Sequence, residues 1–287
     1  MPKKDPSNDN RLPIDPDVPL INIDELKRPP IVERYLDLQV DLKPAQFEKV
    51  IPEWLDAVSK AHDYPEHMAR KHWHFRIDGT EENPRPMGRL YEIPRIQKLG
   101  RNGKLVKAIE VVPTIEEGLP RLRFQQGRPS EAVTRFSEFA DGVRAILPSF
   151  LEANGIPEVN GIWLSYRNEL SAQRYPEFNQ NGSFQIGQIL NFFKSNLAPV
   201  GSCVPPFRAE FSMKIETLPD RFLKFRVEDV PTSSTAHINM FLEYNGLQQQ
   251  EARNAEAVFQ ELDEAHELIL GAFGRHFSGE ALEIFSK

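Results

Sequence analysis

The most regular hydrophobic pattern of the chain lies near its C-terminal end. Between Asn254 and Phe277, apolar residues recur at spacings of three and four, which predicts a helix of about six turns with one buried stripe. The stripe contains Phe259, Leu262, His266, Ile269, Phe273 and Phe277. The acidic residues Glu256, Glu261, Asp263 and Glu264 are predicted to lie on the opposite, solvated side. A short second helix follows, with Ser278 as its N-cap.

Strict alternation of apolar and polar residues predicts strands elsewhere. Leu36, Leu38, Val40 and Leu42 alternate with polar residues, which is typical of a strand with one buried face. The stretch 207–216 alternates in the same way, so its sheet has one solvated face. Shorter extended patterns, separated by turn residues, are found at 72–77, 89–96, 105–113, 119–125, 159–170, 222–227 and 237–244.

Helical patterns occur between groups of these strands. As a result, the same order of elements occurs twice along the chain. We predict helices at 47–58, where Pro52 kinks or restarts the helix, from Ser130 to about 154, and at 184–197. The fold class predicted is therefore α+β. Two pseudo-equivalent halves, 30–156 and 157–287, each run strand, helix, antiparallel strands, long helix. The long helices are expected on one face of a large curved antiparallel sheet, an element order that resembles the TATA-box-binding-protein-like fold by analogy only.

Composition and charge limit which parts of the chain are folded and which partners the protein can have. Residues 1–29 are rich in charge and proline and are predicted to form a disordered or loosely docked arm. The net charge of −7 comes from mixed signs, which disfavours nucleic acid as a partner. The chain has one cysteine and no apolar run of membrane-spanning length. We therefore expect a cytoplasmic protein without a membrane partner.

Histidines near one predicted strand give the clearest candidate for a metal site. His72 and His74 are two residues apart on that strand, and imidazole is a common ligand of zinc and other transition metals. No further metal motif accompanies them in the sequence. The favoured interpretation is that both are ordinary sheet residues and that the protein has no cofactor; the metal site is kept as the alternative.

Polar residues on otherwise apolar elements give a second candidate site. Tyr166, Arg167 and Asn168 lie at the end of an apolar strand, and His266 lies on the apolar stripe of the long C-terminal helix. Such groups form either an internal polar network or a binding site. The structural interpretation is favoured for these residues, because one buried histidine or asparagine can satisfy nearby backbone groups.

Two segments resemble a sporadically distributed bacterial family, the TIGR04255 family. Pro29-Pro-Ile-Val-Glu33 resembles the N-terminal start of the family, and Leu262-Asp-Glu-Ala-His266 through Phe273 to Ser278-Gly-Glu-Ala281 resembles its C-terminal helices. A third, weaker match is Leu164 to Leu170, while Phe285 stands where the family is expected to have an aromatic such as tryptophan. No activity is assigned to the family, so the resemblance implies no catalytic residues.

The resulting functional hypothesis is a non-enzymatic binding or regulatory protein of a bacterial accessory gene set, of the defence or toxin-antitoxin type, acting through a protein partner. Self-association is left open. One alternative is an enzyme or small-ligand-binding protein with its site between the sheet and the long helices. A second alternative is nucleic-acid binding on the concave face of the sheet.

Overall fold

The structure is a computed structural model that describes residue 21 and the ranges 23–61, 66–78, 85–99, 105–107, 110–116, 119–126, 135–153, 159–181, 183–191, 208–215, 218–229, 237–246 and 254–287. In some strands, including all of 66–78 and 85–99, only the backbone is described.

The described chain contains both strands and helices. The strands are β1 (Ile31–Val40), β2 (Glu66–Asp78), β3 (Arg85–Leu99), β4 (Leu105–Lys107), β5 (Glu110–Glu116), β6 (Leu119–Gln126), β7 (Val159–Ser171), β8 (Asn179–Gln180), β9 (Ser183–Phe184), β10 (Arg208–Ile215), β11 (Leu218–Asp229) and β12 (His237–Gly246). The helices are α1 (Pro44–Ala61), α2 (Phe136–Ala153), α3 (Ile186–Ile189), α4 (Ala255–His276) and α5 (Gly279–Ser286). Two single helical turns, Ile23–Glu25 and Pro176–Phe178, complete the set.

The largest sheet has seven strands in the order β10-β11-β12-β7-β1-β6-β5. β10 pairs antiparallel with β11, β11 with β12, and β5 with β6. A smaller sheet has the order β2-β3-β4. Helices together with a large antiparallel sheet confirm the predicted α+β class, whereas the analogy with the TATA-box-binding-protein-like fold stays a prediction.

Several predicted boundaries need correction. α1 is one helix from Pro44 to Ala61 that includes Pro52, so the predicted restart is wrong, and the predicted kink stays a prediction. In the described part of the helix predicted at 184–197, the helical residues are the four of α3, because Leu190 adopts an extended backbone and bridges to Phe277; residues 192–197 lie outside the described residues. Ser130, the predicted N-cap of the second long helix, lies outside the described residues, and α2 begins at Phe136.

The chain divides into two compact units. Unit 1 contains 1–34, 163–247 and 260–287, and unit 2 contains 35–162 and 248–259. In unit 2, the Phe150 ring packs 4.7 Å from Trp54, whose indole N–H donates to Ser149 Oγ at 3.1 Å. In unit 1, the centroids of Phe273 and Phe277 are 4.1 Å apart. The predicted halves 30–156 and 157–287 have different bounds and stay a prediction.

The end of the predicted N-terminal arm is bound within unit 1. The backbone N–H of Arg28 donates to the carbonyl of Phe285 in α5 at 2.8 Å, and the hydroxyl of Tyr175 donates to the carbonyl of Arg28 at 3.0 Å. Arg174 donates to the carbonyl of Pro29 at 2.7 Å. Residues 1–20 of the predicted arm lie outside the described residues.

Among the described residues, no helix combines the length and the apolar character that crossing a membrane requires.

Candidate functional site

β7 carries three of the four residues of the predicted polar site. Successive side chains of a strand point to opposite faces of the sheet, so Tyr166 and Asn168 share one face and Arg167 lies on the other. Their burial follows this alternation: Tyr166 and Asn168 are fully buried, whereas Arg167 is half-buried. The predicted site is therefore divided between two faces.

The structure brings the side chains of Tyr166 and His266 together. The Tyr166 hydroxyl and His266 Nδ1 are 2.5 Å apart, and the ring centroids are 5.9 Å apart. This hydrogen bond connects β7 to α4 within unit 1. We call the side of β7, β11 and β12 that contacts α4 the inner face.

Arg34 of β1 is a member of this cluster that the sequence patterns did not single out. Its side chain is buried, at 1% exposure, and its guanidinium carbon lies 4.7 Å from the centroid of the Tyr166 ring. This is the geometry of a cation–π contact. The alternation of Leu36 and Leu38, extended back by two residues, places Arg34 on the buried face, so a signal for its burial was present in the sequence.

The imidazole of His266 is neutral in this environment. Burial, reinforced by the positive charge of Arg34, lowers the pKa of His266 to about 3. At neutral pH the ring therefore accepts or donates a hydrogen bond but carries no charge. A proton donor or acceptor working near pH 7 needs a pKa near 7, so this imidazole is poorly matched to acid–base catalysis.

Asn168 connects two adjacent strands on the inner face. Its amide nitrogen donates to the carbonyl of Met240 in β12 at 3.3 Å. Its Oδ1 is buried and has no hydrogen-bond partner among the described residues. The contact fits the structural role predicted for a buried asparagine, since it satisfies backbone of a neighbouring strand.

A second buried polar cluster on the inner face corrects the prediction for the long helix. Glu261, predicted to be solvated, is only 4% exposed. It accepts from the Tyr244 hydroxyl at 2.9 Å, and Arg221 Nε lies 3.5 Å from its carboxylate. Burial and the Glu261 charge together raise the pKa of Tyr244. The helical period predicted Glu261 on the solvated side of the helix, because hydrophobicity alone cannot identify a buried, hydrogen-bonded carboxylate.

The opposite side of β7, β11 and β12, together with Glu33 of β1 and the same side of β10, is called the outer face and carries Arg167. Its Nε is 2.8 Å from a carboxylate oxygen of Glu33, and its guanidinium donates to Asn239 Oδ1 at 3.4 Å. The described side chains of the outer face include Glu33, Trp163, Arg167, Glu169, Arg208, Glu210, Phe222, Lys224, Arg226, Glu228, His237, Asn239, Phe241 and Glu243.

Aromatic side chains and paired charges dominate the outer face. The guanidinium of Arg226 stacks on Phe241, with its central carbon 4.0 Å from the ring centroid. Trp163 and Phe222 are half-buried. The charged groups form pairs, Lys224–Glu210 at 2.8 Å and Arg226–Glu228 at 3.5 Å, and the His237 imidazole lies 3.7 Å from a carboxylate oxygen of Glu169. None of these aromatic residues was singled out from the sequence, because period-two alternation marks the face but not its use.

The two histidines of the metal hypothesis lie on β2. His72 is paired with Tyr91 and His74 with Arg89 in β3. Their side chains lie outside the described part of the structure. Among the side chains that are described, no group of three or more histidine, cysteine, aspartate or glutamate residues is arranged to hold a metal ion. The metal hypothesis therefore stays a prediction.

Comparison with known proteins adds no relative. A scan against protein-family models, a search of curated proteins and a search of solved structures found no match to this chain.

Proposed function

We propose that this chain is a non-enzymatic binding protein that acts through a protein partner, and that the partner docks on the outer face of unit 1. The observation that carries the proposal is the Arg226–Phe241 stack in a half-buried layer of aromatic and charged side chains. Aromatic residues and arginine are enriched at protein interfaces and at their energetic centres.

The character of the inner face supports this choice of surface. Tyr166, His266 and Arg34 are packed on one another, and the imidazole is neutral at pH 7. A group held in this way connects α4 to the sheet and contributes to stability. The predicted alternative, a ligand site that uses Tyr166, Asn168 and His266, would need these groups to exchange their mutual contacts for contacts with a ligand.

The charge balance of the outer face defines the kind of partner. Five cationic side chains and five carboxylates are distributed over it and β10: Arg167, Arg208, Lys214, Lys224 and Arg226 against Glu33, Glu169, Glu210, Glu228 and Glu243. A nucleic-acid-binding surface needs an excess of cations. A nearly neutral surface with internally paired charges instead fits a protein surface of low net charge that supplies apolar and aromatic side chains.

The resemblance to the bacterial family suggests a setting for this binding. We place the protein in the cytoplasm, as part of an accessory gene set of the defence or toxin-antitoxin type. The support is the pair of N- and C-terminal segments, Pro29 to Glu33 and Leu262 to Ala281, that resemble the family.

A photo-cross-linking amino acid placed at Phe241 tests the proposal in the full-length chain. We expect cross-linking in cells to one protein species, because the docked partner covers this position. The same amino acid at Glu267, an exposed position on α4, is the control and is expected to give no such product. The purified cross-linked species is then bound to the unmodified chain, and Phe241→Ala is expected to weaken that binding at least about tenfold.

Three outcomes would contradict the proposal. Equal cross-linking at 241 and 267 would indicate non-specific capture. Cross-linking of 241 to nucleic acid, measured after protease digestion, would favour the second alternative. Unchanged affinity of Phe241→Ala for the purified species would show that the partner binds elsewhere.

A further inference from the structure

β10 forms one edge of the seven-stranded sheet. Its one neighbour among the described strands is β11, so no described strand pairs with the N–H and C=O groups on the other side of its backbone, and a further strand can pair with them. Along β10, Arg208, Glu210, Ser212 and Lys214 are exposed, and they alternate with apolar residues. An edge with this alternation can accept a strand of matching pattern.

The distribution of charge along β10 makes the strand complementary to itself. In an antiparallel pair, residues opposite each other lie on the same side of the sheet. With a two-fold axis perpendicular to the sheet, the outer face of one copy continues as the outer face of the other. Only a register in which one residue lies opposite itself on the axis meets this condition. A register centred on Glu210 would oppose two carboxylates, and one centred on Phe211 would oppose Arg208 and Lys214. A register centred on Ser212 instead places Glu210 of each copy opposite Lys214 of the other, which gives two pairs of opposite charge.

The same register also matches the remaining positions. Ser212, a small residue, lies opposite itself at the axis, and Ala209 lies opposite Ile215 on the inner side. The irregularity of the β10–β11 pairing lies between Lys214 and Ile215, which is beyond the central segment from Glu210 to Lys214. The regular part of β10 is therefore the part that the Ser212 register uses.

Within one chain, Lys214 is available for this contact. It is exposed, and no carboxylate among the described residues lies within ion-pair distance of it. Glu210 already accepts from Arg208 and from Lys224, each at 2.8 Å. A carboxylate has about four acceptor positions, so Glu210 keeps capacity for a third cation.

From the open edge and its self-complementary charges, we propose that two copies of this chain associate through β10, antiparallel and centred on Ser212. This association is independent of the partner proposed for the outer face. It joins the two sheets edge to edge and leaves both outer faces accessible. The dimer is held by backbone hydrogen bonds and by two Glu210–Lys214 pairs, with no other molecule required.

Cysteine cross-linking in the full-length chain tests both the association and its register. In a background of Cys203→Ser, Ser212→Cys is expected to form a covalent dimer under mild oxidation, because directly opposed strand residues lie within disulfide distance. Glu210→Cys alone and Lys214→Cys alone are expected to form no covalent dimer, because neither position lies opposite itself, but an equal mixture of the two is expected to cross-link. Cross-linking of Glu210→Cys alone, or none in the mixture, would overturn the register.

The charge contribution is tested without cross-linking. Sedimentation over a range of concentrations should give a species of twice the 32.9 kDa chain mass. Lys214→Glu opposes like charges twice and should raise the dimer dissociation constant at least about tenfold. Lys49→Glu, the same change at an exposed position on α1, should leave it unchanged. A wild-type chain that stays monomeric at every concentration, or equal effects of the two variants, would overturn the proposal.

Discussion

Tyr166 and Arg167 are consecutive residues of β7, yet they lie in different environments. Tyr166 is fully buried on the inner face against a neutral histidine, and Arg167 is half-buried on the outer face in an ion pair with Glu33. The comparison shows that the face of the strand, rather than the polarity of the side chain, decides how far each residue is buried. The experiments below alter one face at a time.

The largest effect is expected from the aromatic core of unit 1. Phe273 is fully buried, with its ring 4.1 Å from Phe277, so Phe273→Ala should cost about 3 to 5 kcal/mol of unfolding free energy. Phe241→Ala, the same change on the outer face, should cost far less because the Phe241 ring is already in part exposed. Urea unfolding measures both. Equal losses would show that the outer face is core.

Acid should destabilise the inner face in a defined pH range. The pKa of His266 is lowered to about 3 and that of His276 to about 4, both mainly by burial, from about 6.5 in the unfolded chain. The unfolded state therefore binds more protons in this range, and the stabilisation present above about pH 6.5 is lost as pH falls towards the folded values. We expect a loss of about 1 to 2 kcal/mol per histidine at about pH 5.

Thermal unfolding measured between about pH 7 and pH 5 checks this slope. The double variant His266→Gln and His276→Gln removes both titrating groups and should flatten the dependence. His237→Gln, at the outer face, is the control. Burial also lowers the pKa of His237, but the charge of Glu169 opposes the shift, so its removal should change the slope less. An unchanged slope in the double variant would contradict the assignment.

A smaller effect is expected from single hydrogen bonds. Tyr166→Phe removes the hydroxyl bonded to His266 and leaves a buried imidazole nitrogen without that partner, at a cost of about 1 to 2 kcal/mol. Arg208→Ala removes an exposed ion pair with Glu210 and should lower the free energy of unfolding by less than Tyr166→Phe does. Urea unfolding separates the two values. A larger cost for Arg208→Ala would reverse the ranking.

The long periodic elements could be predicted from the sequence, whereas the polar contacts could not. The helix α4 and the Ser278 N-cap are confirmed, with the Ser278 side chain accepting from the N–H of Ala281 at 3.0 Å. Local periodicity decides these features. The Arg226–Phe241 stack and the Glu33–Arg167 pair depend on which strands lie side by side, and that choice is made by contacts far apart in sequence.

Buried charge was the second limit of prediction. Glu261 and Arg34 occur at positions where polarity predicts exposure, and both are buried because other side chains of unit 1 pack around them. The sequence states which face a residue is on, and the alternation of β1 does place Arg34 inside. The sequence does not identify the side chains that contact a buried charged group and so lower the free-energy cost of burying it.

The affinity of the cross-linked partner for Tyr166→Phe and Arg167→Ala tests the central claim most directly, because these neighbouring residues differ in the face they occupy. If the partner docks on the outer face, Arg167→Ala should weaken binding at least about tenfold with little loss of stability. Tyr166→Phe should bind the partner like the wild-type chain, although its free energy of unfolding is lower. Loss of binding in folded Tyr166→Phe, with full binding in Arg167→Ala, would contradict the account and move the site to the inner face.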